Sequence, residues 1–88
     1  MEKKYILTDE TIQFNGKTLH RIQAIKSFGD IKEDDLGGWI ENEDNLSQEG
    51  NCWVYDEAIV CDNAKVCNNV KIMCNAIIIN NAVVKDNA

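Results

Sequence analysis

At 88 residues the chain has room for one domain with a small core, of a size that often needs oligomerisation or another staple. Its hydrophobic fraction of 44% argues against disorder, and no apolar run approaches the roughly 20 residues of a membrane helix. The net charge of −6 disfavours direct nucleic-acid binding, which needs clustered Lys and Arg.

The charge is unevenly placed. Residues 1–29 carry five basic and three acidic side chains, and residues 58–88 carry three basic and two acidic. Residues 30–57 carry ten acidic side chains and one basic, Lys32. The N-terminus, MEKKYILTDE, lacks the apolar stretch of a signal peptide, which predicts a cytoplasmic location. Cys52, Cys61, Cys67 and Cys74 contain no CxxC pair, so the expectation is free thiols without a zinc site.

In chain order, KYILT, TIQF and KTLHRIQAI read as three strands. Asn15-Gly16, between the last two, signals a type I′ hairpin. This small sheet is expected to cap the second half of the chain. Gly37-Gly38 permits a tight bend, and Trp39 and Ile40 are placed to plug the first coil. The expected organisation is a single domain, 1–88, with a β cap and lead-in loop over 1–43 and a repeat over 44–88.

That repeat has a six-residue period: DNLSQE, GNCWVY, DEAIVC, DNAKVC, NNVKIM, CNAIII, NNAVVK, DNA. The third place holds Leu46, Cys52, Ala58, Ala64, Val70, Ala76, Ala82 and Ala88, all apolar and mostly small. The fifth place is aliphatic from Val54 through Val84, with Gln48 the exception. Asp, Asn and Gly dominate the first place. A period of six fits neither a helix nor a plain strand; it fits short strands joined by corners, where Asn and Gly tolerate left-handed backbone angles. The prediction is an all-β fold: a short hexapeptide-repeat β-helix of about two and a half coils with an N-terminal antiparallel β-hairpin cap.

Residues 18 apart should then stack. Val54 lies over Ile72, Val60 over Ile78, Val66 over Val84, and Leu46 over Ala64 and Ala82. One outer face shows Ile59, Cys61, Ile77 and Ile79 with no charge between them; a contiguous apolar patch marks a contact surface, for another copy of the chain first, otherwise for the N-terminal segment folded over it or for a foreign partner. The open end of the last coil, with Val84 and Ala88, is a second candidate, because unpaired strand edges invite pairing. The expected partner is another copy of the chain, a homodimer ahead of a trimer. The acids Asp30, Glu33, Asp34, Asp35, Glu41, Glu43 and Asp44 form a candidate surface for a basic host protein.

LGGWIE, LSQEGNCWVYD and the NAKV-type hexads carry a resemblance over nearly the full chain. The chain resembles the left-handed β-helix proteins of the hexapeptide-repeat family, and in particular the N-terminal part of bacterial and prophage β-helix proteins labelled transferases. The resemblance implies the left hand of the helix. In acyltransferases of that family a histidine base sits in a cleft between subunits, and the one histidine here, His20, lies outside the repeat. No Ser-His-Asp or Cys-His set, phosphate loop or HExxH appears. A cluster of acids such as Asp34, Asp35, Glu41, Glu43 and Asp44 is more often a solvated face than a metal site. The functional expectation is a non-catalytic, cofactor-free protein-binding module that homo-oligomerises. In size and context it also resembles the small proteins that phages carry against host defences, such as inhibitors of CRISPR nucleases. The alternatives are a truncated acyltransferase-like subunit and a structural protein that stacks coils.

Overall fold

The computed structural model describes residues 3–85. All of its extended elements are β-strands: β1 (Tyr5–Phe14), β2 (Lys17–Ala24), β3 (Leu36–Ile40), then six two-residue strands. These are β4 (Trp53–Val54), β5 (Ile59–Val60), β6 (Lys65–Val66), β7 (Lys71–Ile72), β8 (Ile77–Ile78) and β9 (Val83–Val84), with one short 3-10 turn at Glu43–Asn45. The short strands pair in parallel as β4 with β7, β5 with β8 and β6 with β9. The register is Val54 on Ile72, Val60 on Ile78 and Val66 on Val84, which is the 18-residue stacking of a three-sided β-helix.

The corners repeat as strictly as the sides. Gly50, Asp56, Asp62, Asn68, Cys74 and Asn80, six positions apart, all have positive φ between 54° and 72°. A left-handed residue every sixth position turns the chain between two strands, and Gly, Asn and Asp accept that conformation at least cost.

The first turn departs from the 18-residue rule. Ile40 pairs with Val60, and Leu46 bridges to Val66 and not to Ala64. Both offsets are twenty residues, so two extra residues are inserted between Leu46 and Val54. The parallel ladder therefore starts at β3, and Leu46 occupies the inward aliphatic position expected of Gln48. Gln48 lies in the enlarged corner. Its Oε1 accepts from the amides of Lys4 (2.7 Å) and Tyr5 (3.3 Å), and its Nε2 donates to Tyr5 O, so it binds the N-terminal segment as a strand edge would.

The expected first two strands are one. β1 runs unbroken from Tyr5 to Phe14, with its register on β2 shifting between Leu7 and Thr11. Asn15 and Gly16 both have positive φ, as the I′ turn requires. The hairpin extends one wall of the β-helix: β2 pairs antiparallel with β3, giving a mixed sheet of order β1-β2-β3-β5-β8.

Gly37 and Gly38 lie inside β3 rather than at a bend. A Cβ on Gly37 would stand 2.6 Å from Val54 O, and one on Gly38 would stand 2.5 Å from Ala58 O. They are glycines because β3 passes hard against the coil beneath it. Trp39 also differs from expectation. Ile40 enters the core, while Trp39 points to the other side of the sheet against Leu19 and Cys61. The top of the coil is closed instead by Tyr5, Ile22, Ala24 and Ile31, which join Val54, Val60 and Val66 in one buried core.

Candidate interaction surfaces

On two of the three outer walls the upper turn is covered by the first forty residues. On the β4 wall, Trp53 is buried, with Tyr5 and Phe28 packed edge-on at centroid distances of 6.1 and 5.3 Å. Beside it, Lys4 Nζ donates to the carbonyls of Gly50 (3.0 Å) and Cys52 (2.8 Å) and lies 4.8 Å from the Phe28 ring. Burial draws the Lys4 ammonium below its ordinary value and pushes the Cys52 thiol up.

The isoleucine wall is more informative. Cys61, expected at the surface, is buried together with Leu19 and Trp39. Ile12, Phe14, Ile59 and Ile79 pack around them. The distal hairpin therefore covers part of this wall, and Cys61 offers no surface to a partner. Trp39 is further held by a Glu57 acceptor on its Nε1 at 3.1 Å and by the Arg21 guanidinium 4.4 Å from its ring. Ile77 stays half exposed, at 50%. The remaining wall carries Lys65 and Val83 outward, with Val66 and Val84 facing in.

The lower end of the coil is uncovered among the described residues. Small third-place residues are buried in the upper turn (Ala58 at 0%, Ala64 at 1%), whereas their equivalents Ala76 and Ala82 are exposed. Inward aliphatics follow the same trend: Val60 and Val66 are buried, while Ile78 and Val84 are half exposed. Met73, Ile77 and Val83 are exposed along the same rim. Ala88 lies outside the described residues.

The acidic segment is divided among several local settings. Asp30 accepts from Tyr55 Oη (2.7 Å) and pairs with Lys71 at 3.3 Å, which holds its carboxyl below the ordinary range. Glu43 pairs with Lys3 at 3.0 Å and is held low chiefly by that contact. Glu41 accepts from the Asp62 amide and faces Lys17 at 3.9 Å. Asp35 accepts from the Lys32 amide, and Glu33, Asp34 and Asp44 stand exposed. Asn45, not singled out in the sequence, is the buried polar pivot here. Its Oδ1 accepts from the amides of Glu41 and Asn42, and its Nδ2 donates to Ala64 O at 2.8 Å. An Asn-rich segment hides it, because nothing local distinguishes a buried Asn from a corner Asn.

His20 is half buried in β2, with Nδ1 at 3.2 Å from Thr8 O, as a packed hairpin residue would be. A polar cleft of about 450 Å³ is lined by Lys17, Glu41, Asn42, Asp62, Asn63, Asn80 and Asn81, with Lys17 salt-bridged to Asp62 at 3.0 Å in its wall. Among the described residues no group of three or more His, Cys, Asp or Glu is placed to hold a metal, and no helix is long and apolar enough to cross a membrane. All four cysteines are free thiols.

The fold defines a small β-helix protein with a hairpin built onto one wall. No protein-family model matches the chain. It is 38% identical over 66 residues to the uncharacterized acetyltransferase YdcK of Escherichia coli. That alignment takes in 66% of this chain and 20% of the relative, so the chain matches about a fifth of that protein's length.

Proposed function

We propose that the chain is a non-catalytic protein-binding module that self-associates through its β-helix. One observation carries this reading: among the described residues the upper turn is sealed while the rim of the lower one is uncovered, with Ala76 and Ala82 exposed beside Met73, Ile77 and Val83. Apolar side chains and strand edges left open together favour association with a matching edge. The test is solution mass by light scattering over a range of protein concentrations. A stable dimer or trimer supports the reading, and a monomer throughout removes it. Ile77→Lys should shift the assembly toward monomer. It should leave the circular dichroism unchanged, since a surface substitution at a half-exposed site costs about 0.5 kcal/mol or less in fold stability.

The finer reading is an inhibitor of a basic host defence protein, such as a CRISPR nuclease. The net charge of −6, concentrated in 30–57, supports it, with Glu33, Asp34, Asp35 and Asp44 on the surface. Binding to such a nuclease that weakens with added salt would support this reading, and no binding at low salt would remove it.

A second reading follows from the similarity to a protein described as an acetyltransferase: an acyltransferase-like subunit. Acetyl-CoA turnover that disappears in His20→Ala would favour it over the binding module.

A further inference from the structure

The lower rim of the coil repeats, eighteen residues on, the chemistry of the turn above. In the upper turn the amides of Trp53, Tyr55, Ile59, Cys61, Lys65 and Cys67 donate to carbonyls of the lower turn, from Val70 to Val84, at 2.7–3.1 Å. Their equivalents in the lower turn are Lys71, Met73, Ile77, Ile79, Val83 and Lys85. Successive residues of a strand alternate in the side to which they aim their backbone groups. The N–H and C=O groups of these six therefore point out of the open end. Among the described residues no backbone carbonyl accepts from their amides.

We infer that this rim is closed by the rim of a second copy, related by a two-fold axis through the centre of β8. The inference rests on the self-association proposed above and specifies its geometry. A two-fold perpendicular to the coil axis makes facing strands antiparallel. With the axis at Ile78, Ile77 pairs with Ile79 of the second copy, Met73 with its Val83, and Lys71 with its Lys85. The six outward-pointing residues thus map onto one another without remainder, and each amide meets a carbonyl of the same set. An axis moved to either neighbouring corner leaves two of the six unmatched. A foreign strand has no such relation to all three sides of the coil, whereas a second copy satisfies them at once. The pairing also brings the exposed Met73, Ile77 and Val83 together and joins two five-stranded sheets edge to edge through β8. Its unfavourable contact, made twice by the symmetry, is Lys71 facing Lys85, softened because Asp30 holds the Lys71 ammonium at 3.3 Å.

In this arrangement Ile78 faces its own copy in a non-hydrogen-bonded antiparallel pair, where Cα atoms approach to about 4.5 Å, within disulfide reach. The test is Ile78→Cys in a Cys74→Asn background, oxidised mildly, with the protein carrying Cys74→Asn alone as control. A reducible covalent dimer formed by the double variant and not by the control is expected. If the parent chain is a dimer but no cross-link forms at position 78, the β8 axis is wrong while self-association stands. If the parent is monomeric at every concentration, both fall. Lys85→Glu tests the geometry without touching the core. By symmetry it forms two pairs with Lys71, so it should lower the dimer Kd by about two- to thirtyfold, as two cross-strand charge pairs do, and an unchanged or raised Kd overturns the arrangement.

Discussion

Single residues mark the corners, and one of them fits poorly. Cys74 takes φ +62° at an exposed corner where the neighbouring repeats use Asn68 and Asn80. A left-handed non-glycine residue is strained, and Asn suffers least because its short polar side chain bonds locally. Cys74→Asn should therefore stabilise the fold by about 0.5–1 kcal/mol, read as a higher urea midpoint at unchanged slope. Asn45 is the opposite case. Its four hydrogen bonds to backbone groups replace strand pairing at the entrance to the coil. Asn45→Ala takes the Asn45 acceptor from the Asn42 amide and the donor from the buried Ala64 carbonyl, while the Glu41 amide keeps Val60 O, and should cost about 1–3 kcal/mol in the same measurement. Position 74 is legible from the repeat alone. Position 45 is not, because its role depends on carbonyls at Asp62 and Ala64, on the next coil.

Among the elements, the hairpin decides which surface remains. A two-residue strand makes few contacts, so each short strand depends on its neighbours above and below. The hairpin adds two long strands to one wall and packs Ile12, Phe14 and Leu19 over Trp39, Cys61 and Ile79. Trp39 is the centre of this contact. Trp39→Ala should cost roughly 3 kcal/mol through the cavity it leaves. It should also make Cys61 reactive toward a thiol reagent that leaves it untouched in the parent chain. Protection of Cys61 in the variant would mean that the hairpin holds this wall without the indole. The hairpin turn itself is readable from Asn15-Gly16. The way its distal half leans on a coil forty residues later is not, because packing between distant segments leaves no period in a sequence.

For the whole molecule, electrostatics ties the N-terminal cap to the coils. Asp30 is held low by Tyr55 and Lys71, Glu57 by Trp39 and Arg21, Glu43 by Lys3 and Gln48, and Asp62 by the Asn80 amide and Lys17. Every one of these carboxyls has a folded value below its ordinary one, so the unfolded chain binds more protons in acid. Their stabilisation is present above the ordinary values of 3.8 for Asp and 4.5 for Glu, and is lost as pH falls through the lower folded values. The urea midpoint should stay level from neutral pH down to about pH 5 and then drop. Added salt should shrink the drop, since these pairs are exposed and screened. A midpoint flat into strong acid would mean that the pairs do not hold cap to coil.

The six-residue period determined the β-helix, its left-handed corners and the stacking of Val54, Val60 and Val66 on Ile72, Ile78 and Val84. A repeat states the same local preference many times, and each coil then inherits its register from the one beside it. Three things were decided only in the tertiary structure. A two-residue enlargement of the first corner gives Leu46 the place expected of Gln48. The N-terminal forty residues bury Trp53 and Cys61, which the repeat alone turns outward. Among the described residues the lower rim is uncovered while the upper turn is sealed. Each depends on contacts between residues far apart in the chain, whose burial is set by which segment reaches them and not by their own neighbours.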